Sequence, residues 1–180
     1  RTLIKFKLFV AEIQANNSKK YKQEVLKKFK DDEDIKRYLK IAFDPYTVYG
    51  ISYKKLSTQI KSASNYIPRT KSVFELFDYL AVHNTGTFDD ILECCNALEA
   101  VAAYDVESSY ILTKLICKDL SIGVDAKTIN SVIPGLIPTF DVQLAQKFFE
   151  KPERAIGKHF VITTKIDGGR IIAIKDNGQV

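Results

Sequence analysis

Up to about residue 137 the apolar residues of this chain recur every three or four positions; beyond Pro138 they gather into short continuous runs rich in β-branched residues. The first spacing lays an apolar stripe along a helix, and the second suits strands. A mainly α chain ending in a short β-hairpin is therefore expected. Leu3, Phe6, Phe9, Val10 and Ile13 form the first stripe, over residues 3–15, and Asn16-Asn17-Ser18 ends it and caps the next helix. Over residues 19–30 the stripe is Tyr21, Val25, Leu26 and Phe29, with six lysines around the rest. Those lysines read either as a solvated face or as a phosphate-facing patch. Ile35, Leu39 and Phe43 mark a third helix over 31–43, acidic at its dipole-favoured start.

Pro45 and Gly50 break the pattern, and residues 44–71 read as loop-rich. Ser72 with Glu75 three positions on is a capping-box pattern ahead of Phe74, Phe77, Leu80 and Ala81, which predicts a helix over about 73–83. Asn84-Thr85-Gly86 stops it, and His83 at that end reads as a cap or surface residue rather than a catalyst. Thr87 with Asp89 and Asp90 opens a helix to about Ala103. Asp105 opens another that runs to Asp119, and Asp125 caps a short one ending before Pro134-Gly135. Residues 1–137 thus read as a helical domain of seven or so helices with short connections. In the remainder, 138–180, one more helix is expected over 141–150, then β runs at 160–164 and 171–174. A hairpin turn at Asp176-Asn177-Gly178 leads to a strand from Gln179.

With 46% hydrophobic and 27% charged residues, 180 residues can bury a sizeable core, in one domain or one and a fraction. The 27 Lys and Arg outnumber the 22 Asp and Glu, a net +5 that favours a polyanionic partner. No run approaches the roughly 18 apolar residues of a membrane span, and no secretory leader pattern opens the chain. Cys94, Cys95 and Cys117 lack CxxC spacing and read as small core hydrophobes in a reducing, cytoplasmic setting. Arg1 in place of an initiator Met, and a stop at Val180 within a strand pattern, suggest part of a longer polypeptide.

Between the two β runs lies Lys165-Ile166-Asp167-Gly168-Gly169-Arg170. A lysine leaving a strand, a carboxylate, a flexible glycine pair and an arginine entering the next strand bring three charges around one tight turn. That pattern suits phosphate chemistry, and it also suits an ordinary polar hairpin.

Lys-x-Asp-Gly-x-Arg resembles the nucleophile motif of the covalent nucleotidyltransferases: DNA ligases, RNA ligases and messenger-RNA capping enzymes. A second stretch runs Leu115-Ile116-Cys117-Lys118-Asp119-Leu120-Ser121-Ile122-Gly123-Val124. It continues through Lys127-Thr128-Ile129-Asn130 to Pro134-Gly135-Leu136-Ile137-Pro138. This looks like the end of the helical DNA-binding domain of ATP-dependent DNA ligases, particularly bacteriophage-type enzymes. The resemblance implies that 1–137 bind nicked double-stranded DNA, and that 138–180 are a linker and the truncated start of an α+β adenylation domain. It implies a monomer in the cytoplasm, that of the host if phage-encoded.

By the same resemblance Lys165 is the catalytic residue, attacking ATP to form lysyl-AMP, with Mg2+ assisting. Thr163, Thr164 and Arg170 border the nucleotide with it, while Asp167 and Gly168 support them. Lys118, Ser121, Gly123 and Lys127 are the DNA-contact candidates, since two lysines flank a turn whose glycine allows close backbone approach. No metal ligand is assigned in this stretch, because the family's metal-holding carboxylates follow position 180, and the stretch alone is expected to be inactive. RNA ligases and capping enzymes share the hexapeptide, but the helical region ending at Gly123 argues against both. NAD-dependent DNA ligases share it too, without a recognisable nicotinamide-binding domain upstream here. The competitor from another class is a non-catalytic helical DNA-binding module.

Overall fold

The computed structural model describes residues 1–58, 66–139, 148–150, 152–159 and 161. The chain divides into two compact units, Arg1–Phe140 and Asp141–Val180. Among the described residues it is mainly α, with no strand. In the first unit the helices are α1 (Thr2–Gln14), α2 (Lys19–Lys28), α3 (Glu33–Phe43), α4 (Tyr53–Thr58), α5 (Val73–His83), α6 (Phe88–Ala102), α7 (Val106–Ile116) and α8 (Ala126–Val132). In the second unit residues Phe148–Glu150 and Pro152–Arg154 form single 3-10 turns. Most of the helix expected over 141–150, and the β runs at 160–164 and 171–174, lie outside the described residues.

The stripe of α1 is the hub of the first unit. Leu3, Phe6, Phe9, Val10 and Ile13 are all buried, and α1 packs against α2, α3 and α7. Phe6 stacks on Tyr38 of α3 with ring centroids 4.6 Å apart, Tyr38 meets Phe74 of α5 at 4.7 Å, and Phe9 meets Phe29 edge-on at 5.4 Å. Such aromatic pairs add about 0.5–1.5 kcal/mol each beyond the area they bury. Tyr38 also keeps its hydroxyl satisfied against Thr2, 3.1 Å away, and burial pushes its pKa up to about 12.

Helix starts follow the local sequence. The side chains of Asp32, Ser72, Thr87 and Asp125 each accept from a backbone N–H three residues on. At α6 the box is complete, because Asp90 accepts in return from the Thr87 amide. Glu75 instead accepts from the amide of Lys71. Asp105 does not cap α7 with its side chain; its carboxylate accepts from Lys7 and from Ser108, each at 2.6 Å, and so ties α1 to α7.

Two departures from the sequence reading stand out. A short helix, α4, lies inside the stretch read as loop. In addition, α7 stops at Ile116 rather than at Asp119, because Lys118 adopts the left-handed conformation with φ +55°. The Asp119 amide then donates back to the Lys114 carbonyl at 2.8 Å and the Lys118 amide to that of Leu115 at 3.1 Å, a paired helix-ending motif that usually takes glycine at the left-handed position.

Candidate nucleic-acid interface

The turn between α7 and α8, residues 121–123, is held from below by two helices. Gln14 at the end of α1 donates its side-chain amide to the Ser121 carbonyl at 2.9 Å. Lys22 of α2 donates its ammonium to the carbonyls of Ile122 (3.1 Å) and Gly123 (3.0 Å). Lys22 is only 5% exposed, so one of the six lysines read as lying around the outside of α2 belongs to the interior. Ile122 is buried, whereas Ser121 and Gly123 are exposed. Gly123 takes φ +70°, and a Cβ there would run into the Lys22 ammonium, so the position needs glycine on two counts.

Lys127, on the first turn of α8, is exposed. Beside it, Asp125 caps the helix through the Thr128 amide at 2.8 Å. The Thr128 hydrogen bonds, with Lys19 contributing more weakly, hold the Asp125 carboxyl below its usual range. Gln23 reaches Ser131 at 3.2 Å, so the α2 face that carries Lys19 and Gln23 borders α8. The stretch after α8 is closed by Asn130. Its side chain accepts from the Ile137 amide at 2.9 Å and donates to the Ile137 carbonyl at 2.8 Å, which accounts for the spacing between Asn130 and the Pro134-Gly135 turn.

Lys118 is placed differently from a phosphate contact. Its ammonium donates to the carbonyls of Ile41 (2.8 Å) and Asp44 (2.7 Å) at the end of α3 and lies over the Tyr49 ring, 5.3 Å from its centroid. It is half-buried, and that burial lowers its pKa despite the nearby Asp44. Of the four DNA-contact candidates, the structure leaves Ser121, Gly123 and Lys127 exposed and turns the fourth inward. Sequence reasoning missed Lys22 and Gln14, since their partners lie about a hundred residues away.

The nucleotide-site candidates Thr163, Thr164, Lys165, Asp167, Gly168 and Arg170 lie outside the described residues. Among the described residues no group of three or more His, Cys, Asp or Glu could hold a metal ion. The three thiols are free, and burial pushes each upward, Cys117 to about 11, which leaves them protonated and unreactive at neutral pH. His83 ends α5 with Nδ1 2.9 Å from the Tyr79 carbonyl and its ring stacked on Tyr79.

The first unit is thus a helical unit that carries a glycine turn, its carbonyls drawn inward, and exposed lysines on the helices α2 and α8 that border it. No family model matches the chain. It is similar to the DNA ligases of Enterobacteria phage T4 and Enterobacteria phage T6, 28% identical to each over 177 residues, which covers 90% of this chain and 33% of each relative. The chain spans about a third of the length of these curated relatives.

Proposed function

We propose that this chain is the N-terminal part of an ATP-dependent DNA ligase that seals nicks in duplex DNA through a lysyl-AMP intermediate. The observation that carries the reading is the similarity to the two phage DNA ligases along nine-tenths of the chain. The Lys165-Ile166-Asp167-Gly168-Gly169-Arg170 hexapeptide supports it.

In the first step the Lys165 amine attacks the α-phosphorus of ATP. An N–P bond forms, the bridging bond to the β-phosphate breaks, and pyrophosphate leaves. The amine must be neutral to do this, and a reference pKa of about 10.4 leaves roughly one in two thousand neutral at pH 7. Nearby cations therefore have to depress it. AMP then passes to the 5′-phosphate at the nick, and the 3′-hydroxyl displaces it. Mg2+ would offset charge on the triphosphate. Thr163, Thr164 and Arg170 border the nucleotide in this reading, and Asp167 and Gly168 shape the turn.

The helical unit is assigned to nicked double-stranded DNA. An enzyme that seals any nick has to grip backbone and shape rather than base edges. The 121–123 turn with Lys127 and Lys19 suits that task, with Lys118 as a structural residue. The protein acts as a monomer in the cytoplasm, and no described helix is long and apolar enough to cross a membrane.

The test is labelling of the longer parent protein with ATP carrying a radioactive α-phosphate. A covalent adduct should form on the unsubstituted protein and vanish in Lys165→Ala and Lys165→Arg, because arginine keeps the charge but supplies no neutral amine. Normal labelling of either variant, or labelling from GTP alone, would reject the assignment. The 180-residue chain itself should not seal nicks.

A further inference from the structure

The carbonyls of Ser121, Ile122 and Gly123 all point at side chains beneath the turn, the last two at one buried ammonium. All described peptide bonds are trans, and in a planar trans peptide the N–H of the next residue points opposite to the carbonyl. The amides of Ile122, Gly123 and Val124 therefore face away from Gln14 and Lys22. None of the three donates to an acceptor among the described residues. Ile122 is 1% exposed, which encloses its amide, whereas Gly123 is exposed and Val124 partly so; their two consecutive N–H donors face away from the ammonium behind them.

We infer that Lys22 is a positioning residue for phosphate binding. By drawing the Ile122 and Gly123 carbonyls inward, it turns the Gly123 and Val124 amides outward as a pair of donors for one backbone phosphate of the DNA. The inference rests on the proposed DNA-binding function and adds to it a residue that itself touches no DNA. A lysine suits the role because a single ammonium can donate to two carbonyls at once, whereas an apolar side chain would leave both acceptors without it, the buried Ile122 carbonyl among them. Gly123 belongs to the same device, since any side chain there would displace the ammonium.

The experiment measures binding of the 180-residue chain to nicked duplexes of unrelated sequence by fluorescence polarisation across a salt series, with thermal melting followed in parallel. Lys22→Met keeps length and apolar bulk but removes the donors. It should weaken binding about tenfold, the equivalent of one missing charge-assisted hydrogen bond, on every sequence alike. The slope of log affinity against log salt should stay unchanged, because no ion pair with phosphate is removed. Affinity within twofold of the unsubstituted chain would overturn the inference, and so would a slope shallower by about 0.9, the signature of a direct ion pair with phosphate. Should Lys22→Met fail to fold, amide resonances of the unsubstituted chain decide. Those of Gly123 and Val124 should shift on adding nicked duplex, and two unmoved resonances in a chain that binds would overturn the inference. No binding by the unsubstituted chain removes the DNA-binding reading together with this inference, whereas binding indifferent to Lys22→Met removes the inference alone.

Discussion

Lys118 occupies a position where glycine would be the less strained choice. A left-handed backbone costs a residue with a Cβ about 1–2 kcal/mol, and here the side chain returns more than that by donating to two carbonyls that end α3. The two effects separate by substitution. Lys118→Ala keeps the strain and loses the latch, and should destabilise the helical unit by about 2 kcal/mol. Lys118→Gly loses the latch and relieves the strain, and should recover about 1 kcal/mol of that. Chemical denaturation of both variants checks the order; an alanine variant as stable as the glycine one would show that the backbone conformation carries no cost.

At the level of elements, the segment 66–70 is attached to α6 through the exposed Arg69–Asp89 pair, 2.8 Å apart, and through one buried carboxylate. Glu93 is 1% exposed and accepts from the Tyr66 hydroxyl (2.6 Å), the amides of Arg69 (3.1 Å) and Thr70 (2.7 Å), and the Thr70 hydroxyl. Burial alone would raise its pKa, but these donors outweigh it and hold the carboxyl below its ordinary value. The sign follows by linkage. A depressed folded pKa contributes stability that is fully present above the unfolded value of about 4.3 and is lost as pH falls through the folded one. Melting temperature should therefore drop on acidification below about pH 4.3, and Glu93→Gln should lower it at pH 7 while flattening that acid limb. An acid limb of undiminished steepness in Glu93→Gln would place the linkage elsewhere, with Asp32, Asp90 and Asp105, also depressed, as the next groups to examine. A second attachment joins the 49–51 and 84–86 loops, where Lys55 donates to the carbonyls of Gly50 (2.7 Å) and Gly86 (3.2 Å). Both glycines take positive φ, and a Cβ on either would collide with the backbone of the other loop.

For the whole molecule, the net charge of +5 misstates what the surface offers. The ammonium groups of Lys22, Lys55 and Lys118 all donate to backbone carbonyls, and Lys7 is paired with Asp105 and Glu107. Positive charge available to a polyanion is thus carried by exposed residues such as Lys19 and Lys127 beside the 121–123 turn. Replacing Lys127 by alanine should make the salt dependence of DNA binding shallower by about 0.9 for each phosphate that the lysine neutralises. The folded Lys118→Gly variant should leave that slope where it was. The reverse pattern in a polarisation titration would return the phosphate-binding role to Lys118.

Helix positions in the first unit were legible in the sequence because they follow from local rules. The stripe of Leu3, Phe6, Phe9, Val10 and Ile13 needs only its own spacing, and Ser72, Thr87 and Asp125 cap helices through amides three residues away. Gly123 was legible as a site of close approach, and Ser121 and Lys127 as its neighbours. The short α4, the inward turn of Lys22 and the left-handed Lys118 were not legible. Each depends on partners distant in sequence: Thr85 and Gly86 for Lys55 of α4, Ile122 and Gly123 for Lys22, Ile41 and Asp44 for Lys118. Lysine has one sequence appearance for two destinations, a phosphate outside or a carbonyl inside. Only the packing of α1, α2, α3 and α7 around a common core decides which acceptor lies within reach of each ammonium.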